Sequence, residues 1–139
     1  MGEPRESYVN NRHQVRIEEI SQWADSFATT RNKWARKSRY FHRADQAYLR
    51  FLIPEGLKVL ELGCGTGTTA LNHAPFVKNI QAIDISEGML EIARSKAEAG
   101  NVGNVSFEKS SIGDFEADDA TYDAVMAHSI LHLLDDKRP

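Results

Sequence analysis

Three glycines alternate directly behind a short apolar run near the middle of the chain. The stretch VLELGCGTGTTA, residues 59–70, places Gly63, Gly65 and Gly67 at every second position. Glycine reaches left-handed backbone conformations at no steric cost, and its missing Cβ lets another group approach the main chain. A strand that ends in a glycine-rich turn and opens a helix, whose N-terminus adds free N–H groups, is a typical ligand site of α/β folds. A generic tight turn would not need three glycines.

Short apolar segments alternate with helical patterns from residue 57 onward. Four strands are predicted, with the sequences KVLEL (58–62), NIQAIDI (79–85), VSFEKSSI (105–112) and YDAVMAHSI (122–130). Helices are predicted over 68–74 and over 87–99, the second with Ser86 as its N-cap and Gly100 at its end. Strands that alternate with helices predict βαβ units and a parallel sheet, and so an α/β fold.

Two helices are predicted ahead of the first strand, and they make residues 1–56 a separate N-terminal helical segment from the core at 57–139. In the first helix, apolar residues recur at about 3.6-residue spacing; they are Val15, Ile20, Trp23, Ala24 and Phe27. The second is predicted over 44–52, and its apolar face comprises Ala47, Tyr48, Phe51 and Leu52.

The charge of the chain is unevenly distributed. Residues 1–58 carry 11 Lys or Arg and 7 Asp or Glu, whereas residues 59–139 carry 6 Lys or Arg and 13 Asp or Glu. The net charge of the whole chain is -3. The stretch RNKWARKSRYFHR, residues 31–43, is cationic with interleaved aromatic side chains; it reads either as a solvated helix face or as part of an acceptor site. The acidic remainder would repel phosphates, which argues against nucleic acid as a partner.

One cysteine, Cys64, allows no internal disulfide, and the N-terminus lacks the apolar region of a signal peptide. No apolar run approaches the roughly 18 residues that a membrane span requires. We therefore expect a cytoplasmic protein without a membrane partner.

An acidic residue, Asp84, closes the second predicted strand 21 residues after Gly63. An acid at this position can accept both hydroxyls of a ribose, as in dinucleotide-binding folds; a solvated residue at a strand end is the alternative. The dinucleotide motif is G-x-G-x-x-G, but Thr68 stands at its third glycine, and Glu61 precedes the glycines. Both features disfavour an NAD-dependent oxidoreductase.

These motifs together resemble those of the class I S-adenosylmethionine-dependent methyltransferases. ELGCGTG is similar to the family's first motif, AIDISEGMLEIARSKA to its second strand and following helix, and YDAVMAHSILHLL to its fourth strand. The resemblance implies a Rossmann-like parallel sheet with strand order 3-2-1-4 in this part of a seven-strand fold. It also implies methyl transfer from S-adenosyl-L-methionine to a small-molecule acceptor, with the N-terminal helices as a lid. The alternative is a module that binds the cofactor without transferring a methyl group.

The resemblance also implies a set of cofactor-binding residues. The methionyl part would be held by Glu61 and by the main chain of Gly63, Cys64, Gly65, Thr66 and Gly67. Asp84 would bind the ribose, Ile85 and Met89 would pack on the adenine, Ser111 and Ile112 would bind its edge, and His128 would lie near the sulfur. Ser111 stands where the family often has Asp, and Asp114 could substitute if its loop turns inward.

Catalysis needs a general base only if the acceptor must lose a proton early. The candidates are His128 and Tyr40, with His42 and His132 as further titratable groups. His128 and His132 stand four apart, but no third ligand is spaced nearby, so we expect no metal site. Cys64 is interpreted as a packing residue rather than a nucleophile.

The resemblance implies that this sequence ends shortly after the fourth of the family's seven strands. The fourth strand would then expose main-chain groups at the sheet edge. We expect this edge to be covered either by the rest of a longer enzyme or by another chain, including a second copy of this one.

Overall fold

A computed structural model describes residues 14–28, 39–128 and 130, with only the main chain for residues 39–42. Eight helices and strands follow one another within these described residues. They are α1 (14–28), α2 (Arg39–Leu52), β1 (Lys58–Leu62), α3 (Thr68–His73), β2 (Asn79–Asp84), α4 (Glu87–Ala99), β3 (Val105–Lys109) and β4 (Ala124–Met126). Among the described residues, no helix combines the length and the apolar content needed to cross a membrane.

The four strands form one parallel sheet in the order β3-β2-β1-β4. The register pairs Leu62 of β1 with Ile83 of β2, and Glu61 with Met126 of β4. The predicted α/β class and the strand order 3-2-1-4 are therefore confirmed. In such sheets ligands bind at the carboxyl ends of the strands, where the order reverses. Here that point lies between the neighbouring strands β1 and β4.

The core lies around the two central strands. Val59 of β1 and Ile80 and Ile83 of β2 are almost fully buried, as expected for parallel strands covered on both faces. Helix α4 packs against β2 and β3 and buries one stripe of side chains, with Leu90 at 0% exposure. Ser86 caps α4 as predicted, because its Oγ accepts a hydrogen bond from the Met89 N–H.

The prediction for the apolar face of α2 is wrong. Tyr48, Phe51 and Leu52 are 62%, 84% and 53% exposed, whereas Gln46 and Leu49 face inward. The helix also begins at Arg39 rather than near residue 44. Periodicity identified the helix, but it could not tell which side faces α3, because Gln46 meets Thr69 of α3 through a polar contact.

The two later strands are shorter than predicted. β3 ends at Lys109, and β4 covers only Ala124–Met126. The residues after β3 enter a turn in which the N–H groups of Asp114 and Phe115 donate to the Ser111 carbonyl. Local hydrogen bonds therefore end the strand earlier than its apolar pattern suggested.

Candidate functional site

The loop at residues 63–67 connects β1 to α3 at the carboxyl edge of the sheet. Its three glycines all have positive φ, at 71°, 55° and 73°, so the backbone is left-handed at every second residue. The N–H groups of Gly63 and Cys64 both donate to the Ile83 carbonyl, and that of Gly67 donates to the Cys64 carbonyl. These three N–H groups are therefore used inside the protein, and the predicted main-chain contact of the loop with the methionyl part stays a prediction.

The three glycines lie in different surroundings. A Cβ on Gly63 would come within 2.5 Å of the Ile130 side chain, and one on Gly67 would lie 2.8 Å from the Ala93 Cβ. A Cβ on Gly65 would meet nothing within 4 Å. Gly63 and Gly67 thus permit protein to pack on protein, and Gly65 is the glycine whose surface is open to an approaching ligand.

Asp84 joins β2 to this loop. Its Oδ2 accepts a hydrogen bond of 2.7 Å from the Gly65 N–H, and its Oδ1 accepts one of 2.9 Å from the Ser86 N–H. The side chain is 9% exposed. Both carboxylate oxygens thus accept a hydrogen bond from the main chain. The main chain therefore orients Asp84 beside the open face of Gly65, as the ribose assignment requires; that assignment stays a prediction.

Glu61 lies one strand away and is 3% exposed. Burial, and secondly the negative charge of Asp84, raise its pKa to about 8, although a hydrogen bond from the Ala70 main chain acts in the opposite direction. Within the described part of the chain, its Oε2 has no hydrogen-bond partner. An orphaned buried carboxyl oxygen is costly unless a donor or a cation reaches it. Because a nearby positive charge lowers the pKa of a buried carboxyl, a cationic ligand would satisfy this oxygen and release the proton that Glu61 otherwise holds at neutral pH.

Cys64 contributes packing rather than a nucleophile. It is buried in the core cluster, and burial together with the charges of Glu61 and Asp84 raises the pKa of its thiol far above the usual range. Since the thiolate is the reactive form, this cysteine is inert at neutral pH.

The predicted adenine-binding residues lie in two places. Ile85 is partly exposed after β2, whereas Met89 is 3% exposed and forms part of the buried face of α4. After β3, the Ser111 Oγ donates to the Asp114 carboxylate over 2.6 Å. Asp114 is exposed in this turn, so the structure does not show the inward turn that its substitution for the family's Asp would require, and the adenine contact stays a prediction.

His128 follows β4 at the same edge of the sheet. Its Nε2 lies 3.4 Å from Asp45 Oδ2 of α2, so an acidic side chain is close enough to orient the imidazole. The side chain of Tyr40, the side chain of His42, residue His132 and most of the basic stretch at 31–43 lie outside the described residues. No group of three or more His, Cys, Asp or Glu side chains that could hold a metal occurs among the residues described.

Two residues that the sequence interpretation did not select contact this site directly. Asp25 of α1 accepts hydrogen bonds from the Ser86 Oγ and from the Gly88 N–H, the latter over 2.9 Å. Lys96 of α4 donates to the Thr66 carbonyl. Asp25 lies in no motif, and Lys96 lies in the stretch AIDISEGMLEIARSKA without an assigned role. Lys96 reaches the site because α4 packs on the loop, and Asp25 because α1 packs on the start of α4. Helical spacing would at most have placed Lys96 one turn after Ala93.

A parallel sheet of this order, with a glycine loop after β1 and an acid closing β2, defines a Rossmann-like nucleoside-binding protein. A family profile described as a methyltransferase domain matches residues 59–139, and the chain belongs to this family. It is a class I methyltransferase domain by both sequence and fold.

Individual relatives agree with this assignment. The malonyl-[acyl-carrier protein] O-methyltransferase of Bacillus cytotoxicus is 32% identical over 81% of this chain and 37% of its own length. The ribosomal protein L11 methyltransferase of Ruminiclostridium cellulolyticum is 33% identical over 60% of this chain and 27% of its own. A solved structure of a DhpI–SAH complex is 25% identical, with a TM-score of 0.66 over 80% of this chain and 52% of that one.

The chain therefore spans only about a quarter to two fifths of the length of these two curated relatives.

Proposed function

We propose that this chain carries the cofactor-binding part of an enzyme that transfers a methyl group from S-adenosylmethionine to a small-molecule acceptor. The observation that carries the proposal is the Asp84 carboxylate, held by the Gly65 N–H at 2.7 Å beside the open face of that glycine. The DhpI relative, whose structure contains SAH, supports a cofactor of this class. The excess of acidic residues over 59–139 supports an acceptor that is not a nucleic acid.

The residues present fit such a cofactor. Asp84 would accept the ribose hydroxyls, and the orphaned Oε2 of Glu61 would meet the positive charge at the methionyl end. Ile85 would pack against the adenine, whose edge would be bound by Ser111, with Asp114 next to it, and by Ile112. The other contacts that the family resemblance implies, from the loop main chain, Met89 and His128, would complete the site.

S-adenosylmethionine supplies a methyl group that its sulfonium has already activated, so the protein contributes mainly alignment and the exclusion of water. His128, oriented by Asp45, could remove a proton from an acceptor that requires it. Tyr40 remains a second candidate for this role. The partly exposed position of His128, at 31%, leaves it accessible to an acceptor.

The test is calorimetry with S-adenosylhomocysteine on the wild type and on Asp84→Ala. The substitution should weaken binding at least tenfold, about 1.4 kcal/mol, because the ribose loses its acceptor. Thermal unfolding of Asp84→Ala checks whether any loss comes from misfolding, and Asp119→Ala is a matched exposed control.

Unchanged affinity in Asp84→Ala would contradict the ribose assignment, and tighter binding of NAD than of S-adenosylhomocysteine would contradict the cofactor. A subsequent methyl-transfer assay separates the enzyme from a module that only binds. Binding without transfer to any acceptor would favour the module.

A further inference from the structure

The side chain of Lys96 ends on the glycine loop. Its Nζ lies 3.1 Å from the Thr66 carbonyl oxygen, 3.0 Å from the Thr66 Oγ1 and 3.4 Å from the Thr68 Oγ1. A lysine ammonium has three N–H donors, so these acceptors match its full donor capacity. All of them belong to the loop at 63–67 or to the first residue of α3.

The burial of Lys96 is unusual for a lysine. The residue is only partly exposed, and desolvation lowers its pKa. Lysine side chains ordinarily keep their charge in water, and a cation next to the first turn of a helix such as α3 opposes the helix dipole. The cost is offset at this place by one carbonyl and two hydroxyl oxygens, all from the loop and its helix.

Helix α4 meets the loop at one further point on the same face. The position of a Cβ on Gly67 lies 2.8 Å from the Ala93 Cβ, and Ala93 precedes Lys96 by three residues, which places both on one side of the helix. A small residue lets the helix approach the loop, and the lysine then bonds to the residue between Gly65 and Gly67. The left-handed segment is thus supported from α4.

We propose that Lys96 is a positioning residue for the cofactor. It fixes Thr66, and through the adjoining peptide it fixes the Gly65 N–H that orients the Asp84 carboxylate. This inference rests on the proposed function, because it gives Lys96 a role in the same binding site. Lys96 itself touches the loop and not the cofactor.

The experiment compares Lys96→Met, which keeps the aliphatic stem and removes the donors, with Lys96→Arg, which keeps donors and charge. Lys78→Met is the matched control, since Lys78 is an exposed residue at the amino end of β2. Two quantities are measured: hydrogen exchange of the Gly65 and Gly67 amides in the ligand-free protein, and the Kd for S-adenosylhomocysteine.

We expect Lys96→Met to speed exchange of both amides about tenfold and to raise the Kd at least fivefold. Lys96→Arg should recover most of both effects, and Lys78→Met should change neither. A purely structural lysine would instead lower the melting temperature and leave the Kd of the folded protein unchanged, and that result would overturn the proposal.

The exchange measurement separates this inference from the proposed function. If the wild type does not bind S-adenosylhomocysteine, the proposed function fails, and the role of Lys96 in cofactor positioning fails with it, even when the exchange data show that it orders the loop. If the wild type binds and Lys96→Met changes neither exchange nor Kd, only the role of Lys96 is overturned.

Discussion

The sheet edge and the N-terminal helices that lie against it are held by different kinds of contact. In the sheet and the helix α4 packed on it, Val59, Ile80 and Leu90 are almost completely buried. Helices α1 and α2 instead expose large apolar side chains, among them Trp23 at 50% and Phe51 at 84%.

The described contacts between these helices and the sheet edge include several polar ones. The Ser21 Oγ donates to the Ile85 carbonyl over 2.8 Å, Asp25 binds the start of α4, and Asp45 lies beside His128. We call the sheet, the loop at 63–67 and α4 the floor of the site, and helices α1 and α2 its cover. The floor is stabilised by the buried core, whereas the cover relies strongly on individual hydrogen bonds. Substitutions in the two regions should therefore have effects of different size.

The largest effect is expected at Glu61, where the floor contains a buried acid. Its pKa is raised from 4.5 to about 8, so the folded chain holds a proton that the unfolded chain loses above pH 4.5. Its contribution to stability is therefore fully present at low pH and is lost as the pH rises through about 8. Relative to Glu61→Gln, the wild type should lose on the order of 4 kcal/mol of unfolding free energy between about pH 5 and pH 8.

Urea unfolding of both proteins across this pH range measures the difference. Glu55→Gln, a substitution at an exposed position, should follow the wild type. Parallel pH profiles for the wild type and Glu61→Gln would show that the buried carboxyl does not carry the proton.

Leu90→Ala and Leu52→Ala make the same chemical change in the two regions. Leu90 is 0% exposed in the core and Leu52 is 53% exposed on α2. The core substitution should cost about 3 kcal/mol, because it removes packed atoms and leaves a cavity. The surface substitution should cost less than about 0.5 kcal/mol. Equal losses by chemical denaturation would abolish the distinction between floor and cover.

Two glycine substitutions compare the packed and the open part of the loop at 63–67. Gly67→Ala should cost about 2 kcal/mol, because the new methyl group meets Ala93 and Phe107 and the backbone is left-handed. Gly65→Ala meets no neighbour and should cost about 1 kcal/mol for its backbone alone. Thermal unfolding measures both.

Ligand binding should rank these two variants differently from stability. The Gly65 methyl group would stand on the open face where the cofactor is proposed to lie, so Gly65→Ala should show the larger loss of affinity per unit of lost stability. If affinity falls only in proportion to stability, the open face of Gly65 is not the ligand face.

A smaller effect than those in the core and at Gly67 is expected at Asp25, which attaches α1. Asp25→Ala removes the acceptor for Gly88 but leaves the Ser86 cap of α4 in place, so the overall loss should be about 1 kcal/mol. Hydrogen exchange should speed up in residues 14–28 and stay unchanged in β1 and β2. Glu18→Ala, a substitution at an exposed position of the same helix, is the control. If hydrogen exchange in β1 and β2 sped up as much as in residues 14–28, cover and floor would unfold as one unit.

Local patterns in the sequence were sufficient for the floor of the site. The apolar run before Gly63 predicted β1 to the residue, and the spacing to Asp84 predicted that the loop and the end of β2 meet. Both work because parallel strands place their carboxyl ends at one edge, so residues that follow the strands converge whatever the rest of the chain does.

Only the tertiary structure decided which groups surround these residues. It buried Glu61 beside Asp84, assigned Gly63 and Gly67 to packing and Gly65 to the open face, and brought Lys96 to the loop and Asp25 to the start of α4. These contacts join residues 23 to 67 positions apart in the chain. No local pattern encodes them, because burial and close approach depend on how whole helices pack against the sheet.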